Sequence, residues 1–98
     1  MESNDDWFEQ WATTVEAHPL HAQVLLGTTA GAEELRRASG VLREAGVDIL
    51  DERVKKHGGQ HLVTFFVTSE DLREAVLRLT EAGFRRLMGI SPKRQSPV

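Results

Sequence analysis

The sequence predicts an α+β fold built on one four-stranded antiparallel sheet, and an internal repeat is the main reason. Residues 33–38 (EELRRA) resemble residues 70–75 (EDLREA), and residues 42–47 (LREAGV) resemble residues 79–84 (LTEAGF) at the same offset. In each copy a strand-like stretch precedes a helix, which ends at a glycine and leads into an apolar segment. Because neither half can bury its apolar face alone, we expect both to share one sheet.

Length and composition indicate one soluble domain. The chain has 98 residues, a net charge of -3 and no cysteine, which excludes disulfides, iron–sulfur clusters and thiolate zinc sites. The charge does not favour nucleic acid, no apolar run approaches the ~20 residues of a membrane span, and the acidic residues 1–6 do not resemble a signal peptide. We therefore expect a cytoplasmic protein without a membrane or nucleic-acid partner. Its arginine-rich basic residues are typical of GC-rich bacterial genomes.

Residues 1–20 predict an amphipathic helix and a linker. Pro19 ends this helix near residue 17. The apolar residues of the helix, which lie on one face, are Trp7, Phe8, Trp11 and Val15. This face either packs on the protein's own sheet or docks another subunit.

Residues 21–90 predict the main domain. A strand at 21–27 and a helix at 32–45 flank a turn in which Thr28 or Thr29 is expected to cap the helix. Gly40, inside the helix, is expected to allow close packing on the sheet. The elements expected after Gly46 are a strand at 47–56, a hairpin turn at Gly58 and Gly59, a central strand at 61–68, a helix at 70–82 capped by Thr68, and a strand at 84–90.

This order of elements corresponds to a ferredoxin-like βαββαβ sandwich with both core helices on one face, strand order 4-1-3-2 and an extra N-terminal helix. Residues 91–98 are polar and proline-containing and predict a flexible basic tail. Phe65 and Phe66 are adjacent in the central strand, so only one can face the side away from the core helices.

No catalytic motif is visible, and we expect no enzyme activity, cofactor or metal. His18 with His21, and His57 with His61, are two close pairs, but Pro19 interrupts the first, so that its rings need not converge, and the second lacks a nearby carboxylate. Asp51 and Glu52 point to opposite faces of a strand, which favours a cross-strand or intersubunit ion pair with Arg53 or Lys55 over acid–base catalysis. The basic residues of the last strand and tail lack the RNP1 pattern of RNA-binding sheets.

Residues 28–32 (TTAGA) lie between a strand and a helix N-terminus, where free backbone N–H groups can hold an anion. A simple capped turn is the alternative. Residues 22–90 resemble an ACT domain through Gly31 in this turn, the junction at residues 42–49 (LREAGVDI), the long hairpin and the closing residues 79–84 (LTEAGF).

The resemblance implies a small regulatory module that dimerises and binds an amino acid or a similar small molecule at the subunit interface. The ligand-binding residues that it implies are Thr29, Ala30, Gly31, Ala32, Asp48 and Ile49. The family's Asp-Arg-Pro-Gly signature is replaced here by residues 28–31 (TTAG). Asp48 stands where the family often has asparagine, and its ionised carboxylate favours an amine over a carboxylate.

The function expected from the sequence is a stand-alone ACT-like module that regulates a separate partner protein. A ligand-free protein-interaction adaptor with the same fold is the first alternative. An acylphosphatase-like enzyme is the second, but the turn at residues 28–32 lacks the arginine that this activity requires.

Overall fold

A computed structural model describes residues 6–29 and 31–93 of the chain. Its elements are helix α1 (Asp6–Thr14), strand β1 (Ala22–Thr28), helix α2 (Ala32–Glu44), strand β2 (Asp51–His57), strand β3 (Gln60–Val67), a 3-10 turn (Ser69–Asp71), helix α3 (Leu72–Glu81) and strand β4 (Arg86–Ile90). The α+β prediction is confirmed, because three α-helices of the described part pack on one four-stranded antiparallel sheet.

The strands lie in the order β2-β3-β1-β4, which is 4-1-3-2 when it is read from the other edge. Every neighbouring pair is antiparallel. The architecture is compatible with a ferredoxin-like fold. As its β-branched and aromatic composition predicts, β3 is central, and residues 62–67 are buried on both faces of the sheet.

The main core lies between one sheet face and helices α2 and α3. Leu35, Ala38 and Leu42 of α2 and Ala75 and Leu79 of α3 are buried there. The strand residues in this cluster alternate along the chain and include Val24, Leu26, Val63, Phe65 and Val67. The internal repeat therefore supplies the two helices that cover this face.

Helix α1 packs on the opposite sheet face. Phe8 and Ala12 are buried against Leu25 and Leu62, with Trp7, Trp11 and Val15 packed around them. The sequence left two surfaces open for the apolar face of α1, and the structure shows that it packs on the protein's own sheet. The helix ends at Thr14, earlier than the proline alone indicates.

Two strands start later than the sequence predicts, and for the same reason. Gly46 and Gly83 adopt left-handed φ values of 82° and 103°. The next residue then turns back to the helix, so that Val47 N–H donates to the Leu42 carbonyl at 3.0 Å and Phe84 N–H donates to the Leu79 carbonyl at 3.1 Å. These bonds close each helix in a Schellman-like cap, and consequently β2 begins at Asp51 and β4 at Arg86.

Three local expectations have different outcomes. Neither Thr28 nor Thr29 caps α2, because Gly31 is its N-cap residue and makes no side-chain bond. Thr68 does act as a cap, since its Oγ1 accepts the Asp71 N–H at 3.3 Å ahead of α3. The expectation for Gly40 is wrong, because a Cβ at this position meets no atom within 4 Å.

Candidate functional site

The turn that the sequence singles out leads from β1 into α2. Thr29 and Ala32 are exposed and Gly31 is half-buried, whereas Ala30 lies outside the described residues. Gly31 has φ 90° and ψ -160°, a conformation that favours glycine. A Cβ at Gly31 meets nothing within 4 Å, so the constraint at this position is conformational rather than steric.

Asp48 and Ile49 lie in the connection between α2 and β2. The Asp48 side chain is exposed, and Ile49 is half-buried against the main core. Immediately after them, Leu50 N–H donates to the Phe66 carbonyl at 2.7 Å. This bond attaches the connection to the end of β3.

The structure does not bring these two segments together within one protomer. The Asp48 segment precedes Asp51, which is paired with Phe66, and Phe66 is paired with Gln23 at the start of β1. The Gly31 turn follows Thr28 at the other end of β1. At about 3.3 Å per residue, Gln23 and Thr28 are about 17 Å apart along the strand. A single ligand could therefore touch both segments only where two protomers meet.

A row of polar side chains lies beside the Gly31 turn. Thr28 is opposite His61, and His61 is opposite Lys56 on the next strand. By strand alternation all three side chains lie on the sheet face that carries α2. The His61 Nδ1 atom is buried and has no hydrogen-bond partner among the described residues. The sequence alone shows His61 as one of a close histidine pair with His57. Its two-residue spacing from Val63 is the signal that places it on the core face.

Strand β2 is the most exposed element of the sheet. All seven of its residues, DERVKKH, are exposed. Among the described strands it pairs only with β3, so its other backbone edge is open. Acidic residues begin the strand and basic residues end it. Arg53 contacts Asp51 of the same strand at 3.4 Å, whereas the sequence predicts a cross-strand or intersubunit ion pair, and its guanidinium lies 5.3 Å from the Phe66 ring centre.

The face opposite the core helices offers no open aromatic platform. Phe66 points to this side but is only 8% exposed, and the aromatic residues of α1 cover the middle of the same face. The edge of the His18 ring lies against Phe66 at 5.6 Å. Bases could not stack on this surface without displacing α1 or His18.

The histidine pairs differ from each other in the fold. His18 and His21 stack, with ring centres 4.8 Å apart and an interplanar angle of 13°. His57 is exposed at the end of β2, whereas His61 faces the core side. No group of three or more histidine, aspartate or glutamate residues able to hold a metal occurs in the part of the chain that the structure describes.

An open apolar groove runs between α3 and the outer edge of β4. Its volume is about 670 Å³. The residues lining it are Ser69, Leu72, Arg73, Val76, Leu77, Thr80 and Gly89. Leu77 is 48% exposed at its rim. No residue implied by the family resemblance contributes to this groove.

None of the described helices is both long and apolar enough to cross a bilayer. No family model matches the chain, and no curated protein matches it significantly. The functional assignment consequently rests on the geometry of the turn, the connection and the β2 edge.

Proposed function

We propose that the protein is a dimeric, ACT-like regulatory module that binds an amino acid or a similar small molecule between its subunits and acts on a separate partner protein. The observation that carries this proposal is the separation of the Gly31 turn and the Asp48 segment to opposite ends of the sheet. A site containing both needs a second subunit, and an antiparallel arrangement of two sheets supplies it.

The open edge of β2 supports such an arrangement through its charge pattern. Two subunits can join along their β2 strands through a two-fold axis that is perpendicular to the sheet and passes through Val54. Glu52 of each subunit then lies opposite the partner's Lys56. The axis also puts Asp51 opposite the partner's His57. Opposite charges across antiparallel strands are favourable, and Val54, which is 47% exposed, gains an apolar neighbour at the axis.

This register also has an unfavourable contact. Arg53 and Lys55 face each other across the axis, and like charges directly opposite are destabilising. Asp51 offsets part of this repulsion, because it contacts Arg53 of its own strand and lies diagonal to the partner's Lys55. Moving the register by two residues places Arg53 against Arg53 and Asp51 against Lys55 in one direction, and Lys55 against Lys55 in the other. The Val54 register is the one of the three that pairs Glu52 with Lys56 and places the apolar Val54 at the axis.

The same register brings the two candidate segments to one end of the dimer. The partner's Asp51 lies opposite His57, so the partner's Asp48 segment lies beyond it at that end. β2 ends at His57, and this end of the strand is the one next to the row of Lys56, His61 and Thr28. The same row lies beside the Gly31 turn. The Gly31 turn and the partner's Asp48 segment are then three strand spacings, about 14 Å, apart, with Lys56 and His61 between them. The site would offer basic groups from one subunit and a carboxylate from the other. This combination suits a zwitterionic ligand.

A charge swap at residues 52 and 56 tests the dimer. Glu52→Lys and Lys56→Glu singly should each raise the dimer dissociation constant about tenfold, since each creates two like-charge pairs per dimer. The double variant restores both pairs and should recover association. Sedimentation equilibrium measures all four proteins. A wild type that stays monomeric, or a double variant no better than the singles, contradicts the β2 interface.

Ligand binding needs a separate test. A thermal-shift screen of amino acids and related zwitterions should find a ligand that stabilises by about 2.7 kcal/mol at 100 times its Kd. Gly31→Val should abolish this shift. Gly83→Val is the matched control, because Gly83 also has a positive φ and open space around it. Equal loss of binding in both variants would remove Gly31 from the site.

One observation favours the adaptor alternative. The apolar groove between α3 and β4 carries the exposed Leu77 and contains none of the implied ligand-binding residues. A protein with no zwitterion response, but with a partner whose binding is lost in Leu77→Glu, would be an adaptor. The docking of α1 on its own sheet counts against an adaptor that uses α1 as a tether.

A further inference from the structure

His18 connects the linker between α1 and β1 to the segment that follows β4. Its Nδ1 atom accepts the backbone N–H groups of Leu20 at 2.9 Å and His21 at 3.0 Å. Its carbonyl oxygen accepts the N–H of Lys93 at 2.7 Å. One residue thereby shapes the turn between α1 and β1 and holds the segment that follows β4.

The His18 ring also closes part of the sheet surface. It stacks on His21 at 4.8 Å and presents its edge to Phe66 at 5.6 Å and 74°. The cluster formed by α1 includes Leu25 and Leu62 but not Phe66. The two histidines therefore cover a part of this face that α1 leaves open.

The hydrogen bonds define the protonation state of the ring. An imidazole nitrogen that accepts hydrogen bonds carries no proton, so the proton of the neutral ring is on Nε2. Adding a proton to Nδ1 turns the acceptor that both amides share into a donor. The N–H groups of Leu20 and His21 then face a third N–H and lose their acceptor.

We propose that His18 is a proton-operated latch. In the neutral form its Nδ1 atom closes the turn at residues 18–21 that places the ring against Phe66, and in the protonated form this turn opens. This inference does not depend on the proposed ligand site. The titratable or charged residues on the segments around His18 are Glu16, His21, Asp51, Arg53 and Lys93.

NMR spectroscopy on the full chain tests the latch directly. Nitrogen-15 spectra at about pH 8 should show the Nε2-protonated tautomer of His18. Lowering the pH from about 8 to about 5 should reduce the hydrogen-exchange protection of the Leu20 and His21 amides by about tenfold or more. The amide shifts of both residues, and that of Lys93, should follow the titration of the His18 ring. An Nδ1-protonated tautomer at high pH overturns the proposal. Unchanged protection while His18 titrates does so equally.

His18→Asn keeps a hydrogen-bond acceptor at this position but removes the titratable group. An asparagine Oδ1 can accept the same N–H groups but does not titrate, so protection should be retained and be independent of pH. A pH response that persists in His18→Asn assigns the effect to another group. Should this variant not fold, the tautomer and titration of the wild type decide alone.

Discussion

The two faces of the sheet are covered in different ways. On one face α2 and α3 bury a cluster of mostly aliphatic residues, and the internal repeat builds both helices. On the other face a single helix, α1, uses Trp7, Phe8 and Trp11 to bury a much smaller cluster. The first face is therefore the cooperative core of the domain, and the second is an added layer that relies on a few large rings.

On each face of the sheet, one strand glycine allows a helix to pack closely. A Cβ at Gly89 would lie 3.0 Å from Leu72 Cδ1 and Val76 Cγ2 of α3. A Cβ at Gly27 would lie 2.8 Å from Phe8 Cδ1 and 2.9 Å from Trp7 Cη2 of α1. Aliphatic branches can rotate away more easily than rings can, so the α1 face should tolerate a side chain less well.

An arginine also lies over an aromatic ring on each face. Arg37 of α2 stands 4.3 Å from the ring centre of Phe84 and donates to the Ala82 carbonyl at 3.1 Å, which links α2 to the end of α3. Arg86 of β4 stands 5.3 Å from the Trp7 ring. The first contact joins two halves of the repeat, whereas the second joins the repeat to the added helix.

The largest effect is expected in the main core. Phe65 is fully buried, so Phe65→Ala should lower the free energy of unfolding by about 4 kcal/mol. Circular dichroism in urea should show one transition for the whole chain at a much lower midpoint. A loss below about 1 kcal/mol would mean that this face is not the cooperative core.

The corresponding truncation on the α1 face should cost less and act locally. Phe8 is 5% exposed, and Phe8→Ala should cost about 3 kcal/mol, near the lower end for a buried ring. Hydrogen exchange should show lost protection in α1 while β1 and β3 keep theirs. Equal loss of protection in the central strands would show that the two layers unfold as one unit.

A methyl group at Gly27 tests the closeness of α1. Gly27→Ala should cost about 2 kcal/mol, because the rings of Phe8 and Trp7 must shift. Gly40→Ala is the control: its Cβ has open space within a helix, so it should stabilise the protein by up to about 1 kcal/mol. Thermal unfolding followed by circular dichroism compares them. A neutral Gly27→Ala would contradict the close packing of α1.

The smallest effect is expected at Trp11. Because this side chain is half-buried, Trp11→Ala should cost about 1.5 kcal/mol, below the range for a fully buried ring. The tryptophan fluorescence of the wild type should be blue-shifted and partly protected from iodide. Emission like that of free tryptophan, with an unchanged Tm in Trp11→Ala, would mean that α1 does not stay on the sheet.

Much of the architecture was predictable, because its signals are local. The repeat around Ala38 and Ala75 identified both core helices, and the burial of residues 62–67 followed from the composition of β3. The late starts of β2 and β4 were not predicted. Apolar residues at Val47 and Phe84 resemble the first residues of a strand, and only the backbone bonds to Leu42 and Leu79 show that they close a helix instead.

The candidate site was predictable only in part. The sequence identified the Gly31 turn, because a glycine between a strand and a helix is a local signal. It could not show that Asp48 lies at the other end of the sheet, since that depends on how β3 brings β2 alongside β1. Strand pairing is also what puts His61 beside Thr28.

The sequence by itself thus determined the helices, their glycine ends and the strongest strand, because short-range hydrogen bonding and apolar periodicity specify these features. Only the tertiary structure decided that α1 covers its own sheet, that His18 contacts Phe66 and the segment after β4, and that β2 is an edge among the described strands. Each of these outcomes depends on contacts between residues far apart in the chain, and no local pattern encodes which distant surface a side chain will meet.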